Sequence, residues 1–287
     1  MSGTRISVIV CARNEEKRIA DALASARACH PHEIIVVDGG SDDRTVAVAE
    51  GFSGVHVLRA GGNGLAFDRQ LGADAASCEL IAFVDADHRL APGDLQRIHA
   101  DMQRYGLDVA QAGVAIEDAG FWCRAENDAL SVFHRRAGPR RMIGTAPALY
   151  RRAVLRETRF DTASALMSDD ADLMRRIERG GKFRTGLSAA VVLQRHEPAF
   201  SAYVAKLAWY GRRDGAFMRK HPDRALSMLF HLTVRYPVLR ALAALLRGRP
   251  RAVAYFWLAG AVRLAACLAY LASPARPRRA ARKQAPA

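Results

Sequence analysis

Cysteine is scarce in this sequence, and its spacing suits neither cross-linking nor zinc binding. The chain of 287 residues has five cysteines, with no Cys-x-x-Cys pair and an odd total. This distribution argues against a disulfide framework or a zinc site and favours a reducing compartment. The five are Cys11, Cys29, Cys78, Cys123 and Cys267.

The N-terminus lacks the long apolar run of a signal peptide. Residues 6–10 are mostly apolar, but the run is short and leads directly into the polar residues 13–16. No Gly-x-Gly-x-x-Gly follows it, which argues against a dinucleotide site of the usual kind. We therefore expect the first half of the chain to stay in the cytoplasm.

Acidic residues are nearly absent from the last third of the chain. The formal net charge is +14, and residues 200–287 hold 17 of the 43 Lys and Arg but only 2 of the 29 Asp and Glu. That segment therefore carries +15, and residues 1–199 carry −1. A nucleic-acid enzyme usually spreads basic residues around its cleft. The asymmetry instead predicts that the C-terminal segment meets an anionic membrane surface and that the protein binds no nucleic acid.

Four short apolar runs alternate with helical patterns in the first hundred residues. The runs are residues 6–10, 33–37, 55–58 and 79–84, and a segment with helical periodicity follows each of them. This alternation predicts an α/β fold with a doubly wound, mostly parallel, Rossmann-like sheet. In such sheets, ligands bind at the edge where the strands end.

Two carboxylates follow the fourth run directly. Asp85 and Asp87 are one residue apart where the strand is expected to leave the sheet. Holding two carboxylates together is costly unless a cation lies between them, and oxygen ligands suit Mg²⁺ or Mn²⁺. The pair therefore predicts a divalent-cation site that could hold a diphosphate. An Asp pair that only caps the next helix is the alternative.

Polar motifs stand at the ends of these strands in a definite order. They are VIVCARNEE (residues 8–16), IIVVDGGSDDRT (34–45), a helix that carries Arg69, and FVDAD (83–87). In this order they resemble the family 2 glycosyltransferases, which have the GT-A fold and use nucleotide-sugar donors. The resemblance covers about residues 5–100 and extends more loosely to residue 222.

The resemblance implies a role for each motif. Asp38 would accept a hydrogen bond from the base, Arg69 would help to bind the nucleotide, and Asp87 with Asp85 would bind the metal. The simpler alternatives are a helix-capping Asp38 and a solvated Arg69. The implied nucleotide-binding residues are Ala12, Asn14, Glu15, Asp38, Arg69, Asp85 and Ala86.

The sequence also departs from the family pattern. Cys11 replaces a common proline, Gly39 replaces a second acid, and Gln70 replaces an asparagine. These changes keep the metal residues but leave the identity of the base and sugar open. The chain also lacks a Gln-x-x-Arg-Trp motif, which counts against a processive polysaccharide synthase.

An acidic run opens a predicted helix over residues 168–181. Acids near a helix N-terminus interact favourably with its dipole, which is the simple account. The run also resembles the family's Glu-Asp-x-Asp-Leu motif, in which the second acid is the general base. On that match Asp170 is the base and Asp169 replaces the usual Glu, with Asp169 or Asp172 as alternative bases. Inverting transfer needs a base to take the acceptor's proton, a function that contributes about 10²–10⁴-fold.

Four further residues are weaker candidates. His196 could approach the metal or the diphosphate, although a structural histidine explains it equally well. Arg212 and Arg213 lie in a segment that resembles one that closes over the phosphates in some relatives, and a solvated basic helix is the alternative. Gly144 lies in the basic loop 140–147, which suits contact with an anionic or sugar ligand.

Two apolar segments occupy the basic C-terminal region. Residues 226–246 and 252–272 are each long enough to cross a bilayer. If both crossed, the three arginines between them would lie opposite the basic residues 276–283, in conflict with the positive-inside rule. We therefore predict helices that lie in the interface of the cytoplasmic leaflet. Spanning helices, a soluble helical subdomain and an oligomer interface are the alternatives.

The sequence thus predicts a GT-A catalytic domain, residues 1–222, and a helical membrane-binding region with a basic, disordered tail, residues 223–287. Residues 1–100 form the nucleotide-sugar half and residues 101–222 the acceptor half. The predicted activity is inverting transfer from a UDP-sugar to a lipid-linked or cell-envelope glycan acceptor, assisted by Mg²⁺ or Mn²⁺, at the cytoplasmic face of the membrane. A nucleotidylyltransferase of related fold and a non-catalytic membrane scaffold are the alternatives.

Overall fold

One mixed β-sheet forms the centre of the molecule. A computed structural model of the chain describes residues 4–117, 120–133, 136–163, 169–195 and 199–273. Within these residues the strands are β1 (Ile6–Ala12), β2 (Glu33–Asp38), β3 (Val55–Arg59), β4 (Leu80–Phe83), β5 (His88–Arg89), β6 (Val109–Ile116), β7 (Gly138–Pro139), β8 (Ala148–Arg151) and β9 (Thr185–Gln194). Their order is β3-β2-β1-β4-β8-β6-β9-β5, and β7 pairs with β9.

The first four strands are parallel and are covered on both faces. The helices of this part are α1 (Ile19–Arg27), α2 (Thr45–Glu50), α3 (Leu65–Ala75), α4 (Asp94–Tyr105), α5 (Phe121–Phe133), α6 (Arg152–Glu157) and α7 (Asp169–Gly180). In β1, Val8 and Val10 pack with α1, α2 and α4, whereas Ile9 packs with α3, α6 and α7. Burial on both faces explains the uninterrupted apolar runs, and the predicted α/β fold is confirmed.

The second half of the sheet changes direction. β8 lies between β4 and β6 and is antiparallel to both, whereas β6 and β9 are parallel. The sequence analysis did not predict β5, β7 or β8, because none of them lies in an apolar run as long as those of the first four strands. Residues 140–147, predicted as a loop, connect β7 to β8.

Four helices follow the sheet. They are α8 (Phe200–Lys220), α9 (Ala225–Phe230), α10 (Ala241–Leu246) and α11 (Pro250–Ala272), and a π-helical segment, His231–Arg240, joins α9 to α10. Together these segments form one continuous helix, Pro222–Leu246, which α11 follows. Both this helix and α11 are long and apolar enough to cross a membrane. They match the predicted segments 226–246 and 252–272. The predicted basic tail, residues 276–283, lies outside the described residues.

The C-terminal helices share an apolar core with α5 and α8. Ala125 and Ala129 of α5 and Leu207 of α8 pack in one cluster with Tyr236 and with the fully buried Phe256 of α11. The region after residue 222 is therefore packed against the helices before it.

Glycines allow α8 and α11 to approach closely. A Cβ atom on Gly211 would lie 2.3 Å from the carbonyl oxygen of Arg263, and one on Gly215 would lie 2.8 Å from the Tyr270 ring. Between these contacts, the Arg263 guanidinium donates two hydrogen bonds of 3.0 Å to the Asp214 carboxylate. Backbone contact and a charge pair together dock α11 on α8.

Gly211→Ala is expected to lower the free energy of unfolding by about 1–3 kcal/mol, because the added methyl group meets backbone that cannot move freely. Gly180→Ala is the matched control. Nothing lies within 4 Å of a Cβ atom at Gly180, so this change should leave stability unchanged or raise it by less than about 1 kcal/mol. Urea unfolding measures both, and equal stability of the two variants would contradict the close contact.

Candidate active site

The carboxyl ends of β1, β2 and β4 meet at one edge of the sheet. In the register of β1 and β2, Ala12 lies opposite Asp38, and the Gly39 N–H donates to the Ala12 carbonyl at 2.8 Å. β4 pairs in parallel with the other side of β1, so Asp85 follows at the same edge. The predicted nucleotide loops and the predicted metal residues therefore lie side by side.

The loop after β1 is tied to the loop after β2. Asn14 has a φ of 57°, its N–H donates to Ser41 Oγ at 3.0 Å, and its side-chain oxygen accepts the Asp42 N–H at 2.9 Å. The Glu15 N–H donates to Thr45 Oγ1 at 2.7 Å. Asparagine tolerates a positive φ better than most residues, and these bonds hold the two loops as one unit.

A second carboxylate lies beside Asp38, in the space that Gly39 leaves. A Cβ atom at position 39 would lie 2.7 Å from Oδ2 of Asp68, while Oδ1 of Asp68 is buried with no hydrogen-bond partner among the described residues. Burial, and then the charge of Asp38, raises the pKa of Asp68 to about 6. Asp38 itself accepts the N–H groups of Gly40 and Ser41 at 3.2 and 3.1 Å. The acid missing at position 39 is thus replaced by one from α3.

The carboxylates of Asp85 and Asp87 converge after β4. One ligand atom from each of them, and one from His88, lie within 4.8 Å of one another. Oδ2 of Asp87 accepts a hydrogen bond from Gln194 at 2.8 Å, whereas its Oδ1 is buried without a hydrogen-bond partner among the described residues. A buried carboxylate oxygen that lacks a donor, next to a second carboxylate, suits Mg²⁺ or Mn²⁺, so these residues fit the predicted cation.

His88 was missed by the sequence analysis, although it directly follows the Asp-Ala-Asp motif. The ring is buried, its Nδ1 accepts the Asp85 N–H at 3.1 Å, and its Nε2 lies 3.9 Å from Oδ1 of Asp87. Because Nδ1 accepts a hydrogen bond, the neutral ring carries its proton on Nε2. A protonated nitrogen cannot bind a cation. His88 is therefore suited to holding the turn, and the two aspartates are the residues that fit a cation.

The end of β9 supports the other side of Asp87. Gln194 bonds its carboxylate, and the Arg195 N–H donates to its carbonyl at 2.9 Å. His196, predicted to approach the metal or the diphosphate, comes next in the chain but lies outside the described residues. Its role stays a prediction.

Buried ion pairs connect the metal turn to α7 and α8. Arg69 of α3 is only 5% exposed. It donates hydrogen bonds to Asp85, at 3.0 Å, and to one oxygen of Asp169. The other oxygen of Asp169 accepts a hydrogen bond from Arg213. Burial opposes the charge of Arg69, but Asp169 and Asp85 outweigh it and raise its pKa well above the usual value. Burial likewise opposes the charge of Asp85, but Arg69 outweighs it and lowers the pKa of Asp85. Arg69 is therefore a buried link and not a solvated helix charge.

Asp170 lies in the first turn of α7, next to the buried Asp169, and is itself half-buried. One of its oxygens accepts the Ala171 N–H at 2.9 Å. Burial raises the pKa of Tyr210, and the charges of Asp87 and Asp170 both add to that rise. Because Arg69 bonds both Asp85 and Asp169, the chain neighbour of Asp170, the start of α7 lies close to the metal turn.

Asp169→Asn is expected to lower the free energy of unfolding by about 3–5 kcal/mol, because it removes the charge that compensates the buried Arg69 and Arg213. Asp170→Asn makes the same chemical change one residue further on, at a half-buried position, and should cost less than about 1 kcal/mol. Urea unfolding compares the two. Similar losses in both variants would contradict the assignment of Asp169 to the buried ion pairs.

The remaining predicted residues have different environments. Arg213 is buried, bonds Asp169 and stacks on Trp209 with 4.2 Å to the ring centroid. Arg212 is exposed and has no hydrogen-bond or ion-pair partner among the described residues. The Gly144 N–H donates to the Gln111 side chain at 2.6 Å. Of the two arginines, only Arg213 is joined to the site.

Lys206 of α8 is a functional candidate that the sequence analysis missed. It is half-buried, and burial opposes its charge. The groups that outweigh burial and raise its pKa are Tyr210, Glu126, Asp87 and Asp85. The charges of both aspartates of the metal turn therefore favour the charged form of Lys206. Nothing in the local sequence marks Lys206, because its position depends on how α8 packs.

Comparison with known proteins agrees with this geometry. Residues 7–158, just over half of the chain, match the family described as Glycosyl transferase family 2. The mannosyltransferase PcManGT from Pyrobaculum calidifontis, in complex with GDP-Man and Mn²⁺, is 17% identical with a TM-score of 0.65, over 94% of this chain and 88% of that one. S. aureus TarS 1-349 in complex with UDP-GlcNAc is 16% identical with a TM-score of 0.55, over 91% and 90%.

The sheet, its ligand-binding edge and the paired aspartates define a glycosyltransferase with the GT-A fold. The chain belongs to glycosyl transferase family 2. The predicted family, fold and class of enzyme are therefore confirmed.

Proposed function

We propose that the enzyme transfers a sugar, with inversion, from a nucleoside-diphosphate donor to a lipid-linked or cell-envelope glycan. The observation that carries this proposal is the buried link from Asp85 through Arg69 to Asp169. The link fixes the helix that bears Asp170 beside carboxylates suited to a cation. A site for the leaving group and a base are thereby held in one place.

The donor is proposed to bind along the β1, β2 and β4 ends. The residues proposed to contact it are Ala12, Asn14, Glu15, Asp38, Arg69, Asp85 and Ala86. A UDP-sugar remains the proposed donor, and TarS binds UDP-GlcNAc, whereas PcManGT binds GDP-Man. Asp68 places a second carboxylate beside Asp38. Guanine offers more N–H donors on one edge than uracil does, so two carboxylates could also bind guanine, and GDP-sugars should be tested beside UDP-sugars.

Asp85 and Asp87 are proposed to hold Mg²⁺ or Mn²⁺. A cation bound there would stabilise the negative charge of the departing diphosphate. Arg69 keeps Asp85 ionised, His88 holds the backbone of Asp85, and Gln194 fixes Asp87. The two carboxylates are thus oriented before any ligand binds.

Asp170 is proposed as the base. Its carboxylate takes the proton of the acceptor hydroxyl while the hydroxyl oxygen attacks the anomeric carbon and the bond to the diphosphate breaks on the opposite face. Asp169 is 4% exposed with both oxygens bonded to arginines, so we assign it a positioning role. Asp172, the other alternative, is 1% exposed. Its carboxylate bonds Arg176, Lys220 and His221.

The C-terminal helices are proposed to lie in the interface of the cytoplasmic leaflet. Arg249 and Arg251, in the connection between the two apolar helices, donate to Asp128 of α5 at 3.0 and 2.8 Å. Two spanning helices would carry this connection across the bilayer, away from α5, so the contact favours interfacial helices. Residues 1–222 remain the proposed catalytic domain, in halves 1–100 and 101–222, and residues 223–287 its membrane region.

Apolar side chains on the outer face of Pro222–Leu246 are available to acyl chains. They are Leu226, Leu229, Phe230, Val238, Leu239, Leu242, Leu245 and Leu246, all of them exposed. Large exposed apolar patches mark interaction sites, and arginines next to them suit lipid phosphates.

A donor screen tests the proposal. The full-length protein is incubated with UDP-sugars and GDP-sugars, with and without Mn²⁺, and release of the nucleoside diphosphate is measured. We expect Mn²⁺-dependent release from one donor class. Pyrophosphate release from a nucleoside triphosphate and a sugar phosphate would instead indicate a nucleotidylyltransferase. A scaffold would show neither reaction.

A further inference from the structure

A cavity of about 530 Å³ lies between the sheet and the C-terminal helices. Its walls come from β6, β9, the loop after β7, and helices α7, α8 and Pro222–Leu246. None of its lining residues belongs to the predicted nucleotide loops. Among the described residues, no acidic one lines the cavity. The six arginines that line it are Arg140, Arg175, Arg224, Arg235, Arg240 and Arg263.

The positive charge of this cavity is only partly compensated. Three carboxylates bond lining arginines from behind the wall: Glu178, Asp223 and Asp214. The side chains of Arg140 and Arg235 have no hydrogen-bond or ion-pair partner among the described residues. The Nε atoms of Arg140 and Arg175 are buried and unpaired. Buried donors without acceptors are costly, so the unpaired donors of Arg140, Arg175 and Arg235 favour a bound anion.

Besides the arginines, the wall has four polar residues, Gln111, Ser188, Ser227 and His231, and the others are apolar or glycine. The apolar ones include Leu130, Met142, Leu187, Phe217 and Met228. The helix Pro222–Leu246 supplies Met228 and Arg235 to the wall and also carries the exposed apolar face described above. An apolar chain that leaves the cavity along this helix therefore meets a surface suited to it. The combination fits an amphiphile with an anionic head.

The cavity is lined by two of the helices that also form the candidate site, α7 and α8. Arg175 follows Asp170 by five residues on α7, so it lies about 7.5 Å further along the helix axis. Phe217 follows Arg213 by four residues on α8, about 6 Å along. Arg263 of the wall bonds Asp214, the chain neighbour of Arg213.

We propose that this cavity binds the phosphate or diphosphate group of a lipid-linked acceptor. Arg140 and Arg235 supply the unpaired donors, in the fork geometry that suits phosphate oxygens, and the apolar wall holds the first part of the lipid chain. The inference rests on the proposed function and narrows its acceptor to a phosphorylated amphiphile.

Binding of three probes to the full-length protein tests the proposal: farnesyl phosphate, farnesol and inorganic phosphate. Calorimetry is expected to show farnesyl phosphate bound more tightly than either of the others. Arg140→Gln and Arg235→Gln should each lower the affinity for farnesyl phosphate by about 10-fold, because each removes one charge-assisted hydrogen bond. Arg247→Gln is the matched control, because it removes the same charge from an exposed residue of the same region that does not line the cavity.

Two outcomes would overturn the proposal. Equal effects of Arg235→Gln and Arg247→Gln would show a general electrostatic attraction without a cavity site. If inorganic phosphate bound as tightly as farnesyl phosphate, the cavity would be a site for free phosphate, and the proposed lipid-linked acceptor would be wrong. Arg235 is exposed, so its variant should fold normally, and an unchanged Tm checks this.

Mn²⁺-dependent UDP binding by the same samples separates this inference from the proposed function. A protein that binds UDP but not farnesyl phosphate would refute the cavity site and leave the transferase proposal standing. A protein that binds farnesyl phosphate through Arg140 and Arg235 but releases nucleotide from no donor would support the anion site and refute the transferase proposal.

Discussion

The Asp170→Asn enzyme is expected to lose about 10²–10⁴-fold in kcat while it retains its affinity for the donor. Asparagine has nearly the same shape as aspartate but cannot take a proton. Asp170 is half-buried and lies outside the buried ion pairs of Asp169, so the fold should be kept. Steady-state kinetics, with nucleotide release as the readout, measure kcat and the donor KM separately.

Asp74→Asn is the matched control for this experiment. The same atoms change, but on α3, where Asp74 forms a half-exposed ion pair with Arg159 at 2.6 Å. Its kcat should stay within about 2-fold of the wild-type value, since exposed pairs contribute little. An undiminished kcat in Asp170→Asn would refute the role of Asp170 as the base. If kcat were unchanged but the donor KM rose strongly, Asp170 would instead be a donor-binding residue.

The first four strands and their parallel arrangement were predictable because local pattern and global packing agree there. Each strand is covered on both faces, so its apolar run is continuous, and each connection is a helix with its own periodicity. The direction of β8 could not be predicted in this way. Its four residues carry no pattern, and they become antiparallel only by pairing with β4 and β6, which lie far from them in the chain.

The site divides along the same line. Asp38 and Asp85 were predicted to lie close together because parallel strands end at one edge, and the structure brings them there. The contact of Gln194 with Asp87 was missed because it joins residues 107 apart in sequence. The sequence held a hint of Asp68, because the acid common in the family is missing at position 39. Only the packing of α3 shows that the Asp68 carboxylate lies in the space beside Gly39.

The interaction of Arg69 changes what its motif means. An arginine on this helix was expected to touch the nucleotide, and the structure shows it bonded to Asp85 and Asp169. One residue thus links the donor edge to the helix of the base. A contact with the nucleotide can be added to this role but cannot replace it, because breaking either pair would leave a buried charge uncompensated.

Asp87→Asn is expected to abolish the Mn²⁺ dependence of nucleotide binding and to lower kcat/KM by about 10²–10³-fold. One oxygen of Asp85 is bonded to Arg69, whereas Oδ1 of Asp87 has no hydrogen-bond donor among the described residues, so Asp87 has more capacity left for a cation. The asparagine oxygen can still accept from Gln194, which preserves the turn. Titration of UDP with and without Mn²⁺ measures the change.

Thermal unfolding gives an independent test of the same residue. A cation that binds only the folded protein raises Tm, so Mn²⁺ should raise the Tm of the wild type and of Asp74→Asn but not that of Asp87→Asn. Without Mn²⁺, the Asp87→Asn protein should be no less stable than the wild type, because the change removes a charge whose buried Oδ1 has no hydrogen-bond donor among the described residues. A loss of stability in metal-free solution would mean that Asp87 holds the fold, and the cation site would then have to be sought elsewhere.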